Sequence, residues 1–330
     1  MTEAELADLG IHRISIPIPF AQAGGPVNVY LLEEAGGGLL MWDAGLGTRD
    51  AQDALEEGFR RAGRTPREVT KILVSHGHVD HAGAARFVQE RHGGELPVYG
   101  HPADQGKYVV SGRTWREQAP VYAAYLTKLG VPAEGIEQTR LEGDRYRVAG
   151  RVPAVRPLAD GDVFRTRHGE VRVLHMPGHT PGLVVLHDAA HRVLFSADHV
   201  LEKVSPNPLI ELGPDGEEGF FRPLSAYLAS LARTRALDLE LVLPGHATPF
   251  ADHRAVIDRL VPFYGKRQER IRGVVAAGPR TPWEIARELF PKAQAAQTFL
   301  VISETMANLE VMEDRGELAR TLVDGVYRFG

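Results

Sequence analysis

Cysteine is absent from the 330-residue chain. That removes disulfides and thiolate nucleophiles, and it leaves only nitrogen and oxygen to hold any metal. An excess of basic charge is also missing: 38 Lys and Arg stand against 43 Asp and Glu, a formal net charge of −5. The chain as a whole therefore has no general attraction for nucleic-acid phosphates or anionic lipid. No apolar run reaches the ~18 residues of a membrane span, and the opening MTEAELADLG lacks the basic start and apolar core of a secretory signal. A cytoplasmic protein is the expectation. Neither G-x-x-x-x-G-K-[ST] nor G-x-S-x-G occurs, which excludes a phosphate-cradling loop and a serine elbow.

What is present reads as a layered α/β protein. HRISIPI, VNVYLLE and GLLMWDAG are short strands separated by Gly and Pro, and TRDAQDALEEGFRRAG repeats its apolar positions at helical spacing. REVTKILVSH is a further strand, AGAARFVQERHG a helix closed by glycine, and EVRVLHMPG, LVVLHD, RVLFSADHV and LELVLPGH continue the alternation. We expect one large domain over residues 1–261, with a helical insertion at about 102–157. That insertion carries Tyr108, Trp115, Tyr122 and Tyr125, which are expected to wall a substrate cleft. Residues 262–330 read as helices followed by a hairpin turning at Val323-Asp324-Gly325, the order of a winged helix.

The chemistry concentrates in four loops. SHGHVDHAGA, Ser75 to Ala84, places His76, His78, Asp80 and His81 within six residues, directly after the apolar run KILV. HMPGHTPG carries His179, FSADHV carries Asp198 and LPGHATP carries His246, each at the end of a strand. Strand-end loops are where α/β folds present ligand-binding groups, because the sheet fixes them while the loop leaves them accessible. One histidine beside a glycine is usually an ordinary turn residue, whereas four such loops in one chain point to metal.

The series WDAG, SHGHVDH, GHTPG, SADHV and PGH resembles the metallo-β-lactamase superfamily over about residues 10–250. The resemblance implies a four-layer αββα sandwich in which His76, His78 and His179 hold one metal. Asp80, His81 and His246 would hold the other, Asp198 would bridge them, and Asp43 would support the cluster from behind. Five imidazoles and two carboxylates leave positive charge on a pair of divalent ions, enough to lower the pKa of a bridging water. Nitrogen with oxygen suits Zn(II), with Mn and Fe(II) as alternatives. The C-terminal helices and hairpin look like the branch similar to the β-lactamase-like protein 2 group, for which ester or thioester hydrolysis and endoribonuclease activity are both inheritances.

The expectation that follows is a binuclear hydrolase, a metal-bridging hydroxide attacking an ester, thioester or lactone carbonyl, with Asp80 and His199 as catalytic residues. His199 would donate a proton to the leaving group. The alternative is a metal-dependent endoribonuclease or phosphodiesterase, and an iron-dependent redox enzyme ranks third. In residues 251–330 basic and acidic side chains nearly cancel, unlike the basic face of a nucleic-acid reader. A small acyl molecule is accordingly the favoured partner over nucleic acid. A second copy of the chain is a further candidate.

Overall fold

The computed structural model describes residues 3–19, 23–109, 115–145, 151–213 and 215–330. Its first half runs α1 (Glu3–Asp8), β1 (Ile11–Ile16), β2 (Val27–Glu33), β3 (Leu39–Trp42), α2 (Arg49–Arg61), β4 (Val69–Leu73), α3 (Val79–Ala82), α4 (Ala85–His92) and β5 (Val98–Gly100). Three helices follow, α5 (Gln105–Tyr108), α6 (Trp115–Lys128) and α7 (Ala133–Arg145), then the short β6 (Arg156–Pro157). The second half continues with β7 (Val163–Thr166), β8 (Gly169–His175), β9 (Val184–Asp188), β10 (Val193–Ala197), α8 (Pro223–Arg235) and β11 (Leu241–Pro244). The chain closes with α9 (His253–Val275), α10 (Pro282–Leu289), α11 (Thr298–Asp314), β12 (Arg320–Val323) and β13 (Val326–Phe329).

Side-chain alternation along the strands builds the layers, since neighbouring residues of a strand face opposite sides of its sheet. The first sheet has the order β1-β2-β3-β4-β5-β6 and the second β11-β10-β9-β8-β7. Along β2, Val27, Val29 and Leu31 pack under α2 with Leu55 and Phe59. The intervening Tyr30 and Leu32 meet Val171, Val173, Val184, Leu186 and Phe195 of the second sheet. On that sheet's far face, Val185, Leu194 and Val242 lie under Leu224, Tyr227 and Leu231 of α8 and Val256 and Ile257 of α9. Three apolar interfaces between helices, sheet, sheet and helices make the expected αββα sandwich.

A fourth core joins what the sequence separates. Tyr125 and Leu126 of α6 and Leu129 just after it pack with Ile271 of α9, Ile285 and Leu289 of α10, Ile302, Met306, Leu309 and Met312 of α11, and Phe329 of β13. The boundary expected near residue 261 falls inside α9, which runs unbroken from the third core to this fourth one. Helices α9 to α11 and the β12–β13 hairpin follow the order expected from the sequence. Among the described residues, no helix is long and apolar enough to cross a membrane.

Candidate metal centre

Each loop leaves the sandwich at the same edge and is pinned there by backbone bonds. Val184 N–H donates to the Ser75 carbonyl at 2.9 Å, linking the two sheets behind the histidine cluster, and Ala44 N–H donates to the His81 carbonyl at 2.7 Å. Asn28 N–H donates to the Gly245 carbonyl at 2.7 Å and Gly245 N–H to the Ala197 carbonyl at 2.8 Å. Asp43, Ala197 and Ala247 hold left-handed backbone angles, with φ of 60°, 45° and 62°. Such geometry costs of order 1 kcal/mol or more for a residue with a Cβ and collects at functional sites. Here it bends the chain at three strand ends just where a ligand side chain, or the acid behind one, has to turn inward.

The sequence-identified donors converge. His76, His78 and His179 each offer an atom within 4.8 Å of the others, and so do Asp80, His81 and His246. In the first set, His78 Nδ1 faces His76 Nε2 at 3.1 Å and His179 Nε2 at 3.0 Å. In the second, His81 Nε2 faces His246 Nε2 at 3.3 Å, and Asp80 Oδ2 lies 3.5 Å from that same nitrogen. Asp198 sits between them: its Oδ2 is 3.6 Å from His179 Nε2 and 3.4 Å from His246 Nε2, and its Oδ1 is 3.3 Å from His81 Nε2. Asp198 Oδ1 is buried without a hydrogen-bond partner, an arrangement that costs stability unless something positive meets it.

The remote ring nitrogens show why these imidazoles fit a cation. His81 Nδ1 lies 2.8 Å from Asp43 Oδ2, His179 Nδ1 3.1 Å from the Asn207 carbonyl, and His246 Nδ1 3.3 Å from the Gly25 carbonyl. His76 Nδ1 meets Ser75 Oγ at 2.9 Å, and that hydroxyl donates to Asp43 Oδ2 at 2.9 Å. Four of the five rings therefore donate N–H backwards and present a lone pair forwards, the arrangement that supports metal-bound histidine. Asp43, which also accepts Ser75 N–H at 2.7 Å, stands behind rings of both sets.

Burial and neighbours divide the electrostatics. Burial, together with the crowding of His81 and the other rings, holds His76 well below the usual imidazole range, and burial beside His179 and Lys107 does the same to His78. For His81 burial again opposes charge, but the Asp198, Asp43 and Asp80 carboxylates outweigh it and raise its pKa well above normal. Asp198 itself stays ionised well below its ordinary value, because His246 and His81 overcome the burial that would protonate it. Negative potential thus gathers on the Asp198 side of the cluster.

His199 does not match the donor role expected of it. It is 1% exposed, its Nε2 is committed to Thr234 Oγ1 at 2.7 Å, and Tyr227 Oη donates to its carbonyl at 2.9 Å. Burial, helped by Arg233, lowers its pKa to about 3. A neutral ring wedged under α8 has no proton to lend near neutral pH. The insertion aromatics also differ from expectation: Tyr108 belongs to the core beneath the first sheet and Tyr125 to the core shared with the C-terminal helices, because the helices that carry them pack on neighbours rather than on the cleft. Tyr122 donates from its hydroxyl to the Ile210 carbonyl at 3.4 Å. The side chain of Trp115 lies outside the described residues.

Two contributors escaped the sequence reading. Asn207 holds His179 through its backbone carbonyl while its side-chain Nδ2 donates to the Leu300 carbonyl of α11 at 3.2 Å. Asp104, buried just past β5, accepts hydrogen bonds from both histidine loops. Its sequence setting, a strand ending in His-Pro-Ala-Asp, signals only a helix-start turn. Beside His246, a small surface cleft opens between Gly24, Leu201, Lys203, Val204 and Thr248.

Comparison with known proteins agrees with this geometry. A profile described as "Metallo-beta-lactamase superfamily" matches residues 23–246. The probable metallo-hydrolase YqjP of Bacillus subtilis is 30% identical over 302 residues, covering 91% of each chain. Acyl-coenzyme A thioesterase MBLAC2 of Gallus gallus is 29% identical over 245 residues, 71% of this chain and 77% of that one. The crystal structure of a metallo-beta-lactamase family protein, TTHA1429 from Thermus thermophilus, superposes with a TM-score of 0.78 at 31% identity, covering 97% of this chain and 98% of that one.

Proposed function

Since the chain belongs to the metallo-β-lactamase superfamily and is a metal-dependent hydrolase, we propose that its substrate is an acyl thioester, ester or lactone, with thioester placed first. The observation that carries the reading is Asp198, whose single carboxylate lies within 3.6 Å of ring nitrogens from both ligand sets. His76, His78 and His179 would hold one ion, Asp80, His81 and His246 a second, and Asp198 would be shared. Bound there, two divalent ions, zinc first, supply an activated water and polarise the carbonyl under attack. The protein's own part is orientation and proton handling. Asp43, Ser75, Asn207 and Gly25 fix the imidazoles in the tautomers that face the centre. Asp80, the other carboxylate at the centre, is assigned to receive the proton of the attacking water.

Thioester ranks ahead of phosphodiester on two supports. A relative named as an acyl-coenzyme A thioesterase aligns over 71% of this chain. In addition, Arg267, Arg272 and Arg320 of the C-terminal segment are paired with Glu304, Glu317 and Glu313, which leaves them engaged within the fold rather than presented to a phosphate backbone. The deciding experiment assays the purified, metal-loaded protein on an acyl-coenzyme A, an acyl lactone, bis-p-nitrophenyl phosphate and single-stranded RNA. Thioester turnover that disappears in Asp198→Ala is the expected result. RNA or phosphodiester cleavage without acyl hydrolysis would replace this reading with the nuclease one.

A further inference from the structure

The geometry points to Asp104 as the positioning residue of one metal and not of the other, an assignment that rests on the two-metal reading. Asp104 lies in the turn after β5, where its own N–H donates to the His101 carbonyl at 3.1 Å, and it is 1% exposed. Its Oδ2 accepts Gly77 N–H at 2.9 Å and Thr180 Oγ1–H at 2.6 Å, and its Oδ1 accepts Gly182 N–H at 3.0 Å. Gly77 stands between His76 and His78, and Thr180 follows His179. One buried carboxylate thus ties together the two loops that supply the whole of the first ligand set. Its recorded side-chain hydrogen bonds go to Gly77, Thr180 and Gly182, two of them next to first-set ligands and none of them next to Asp80, His81 or His246.

The surroundings are shaped to bring this carboxylate close. A Cβ on Gly182 would stand 2.8 Å from Asp104 N and Cγ, and a Cβ on Gly77 would stand 2.5 Å from the Lys107 side chain. Both loops therefore approach Asp104 through glycines. Lys107 Nζ lies 3.7 Å from Asp104 Oδ1 and is ion-paired with Glu211, balancing the buried charge. A carboxylate removed from water is destabilising unless its oxygens are satisfied. Three donors from the ligand loops meet that need here, so the loops and the carboxylate hold each other in place. Asp43 differs: it reaches His81 directly and His76 through Ser75, and so touches both sets.

The test is a metal titration of the full chain with Co(II) and Zn(II), read by visible absorption of the cobalt form and by elemental analysis. In a His246→Ala background, which leaves the first set intact, Asp104→Asn is expected to weaken the remaining ion by about 10–100-fold, the usual effect of removing a group that orients metal ligands. In a His179→Ala background, Asp104→Asn is expected to leave the remaining ion unchanged. Equal weakening in both backgrounds, or in neither, overturns the assignment. A wild-type protein that binds only one ion instead overturns the two-metal reading, which is a separate result. If Asp104→Asn does not fold, Thr180→Val removes one of the three contacts at nearly constant volume. It should weaken the first-set ion alone by several-fold, and an unchanged or site-independent affinity would refute the proposal.

Discussion

At the scale of single residues, the ligand loops leave no room for an added methyl group. A Cβ on Gly245 would lie 2.9 Å from both the Ala197 carbonyl carbon and His81 Cε1, and against Asp198 Oδ1. Gly245→Ala should therefore lower metal affinity by roughly 10–100-fold while far-UV circular dichroism stays near wild type, and elemental analysis after dialysis checks it. The seven donors could be read from the chain because histidine and aspartate at strand ends beside glycine are chemically conspicuous. Asp104 and Asn207 could not. One is an aspartate whose place at a helix start already has an ordinary local explanation, and the other acts through its backbone carbonyl, which leaves no mark on residue type. His199 was over-read for the converse reason: adjacency to Asp198 in sequence says nothing about a ring that points under α8 to Thr234.

At the scale of elements, strands were legible because β2 and β10 alternate their side chains between two apolar layers. The packing partners of α6 were not, since an amphipathic helix reveals that it buries a face without revealing against what. Helix α11 illustrates the consequence. It is buried on nearly every side and carries Glu310, 7% exposed, whose pKa rises from 4.5 to about 7. Burial is the main cause, with Glu313 and Asp314 adding to it against Arg222 and Arg320. Because the fold favours the protonated acid, the stability this group contributes is present below about pH 4.5 and is lost as pH rises to about 7, by up to about 3 kcal/mol. Glu310→Gln should thus unfold at higher denaturant than wild type at pH 8, with the difference shrinking by pH 5. A constant difference across that range would refute it.

At the scale of the whole molecule, the insertion helix α6, the segment after Asp198 and the C-terminal helices share one core. Ile210, in the segment after Asp198, belongs to the same core as α6, α9, α10 and α11. Deleting residues 266–330 would strip that core, and we expect a fall in Tm of roughly 10 °C or more together with loss of metal. A truncated protein that melts like the full chain and keeps its metal would refute this. The segment from Pro206 to Glu211 is fastened by Tyr264 Oη to the Pro206 carbonyl, Asn207 Nδ2 to Leu300, Ile210 N–H to Ser303 Oγ, and Glu211 to Lys107. A flap that swings to admit a molecule needs slack and a hinge, and a segment sewn down at four points has neither. The doorway must then be a fixed one, open only where the surface beside Gly24, Lys203 and His246 already parts.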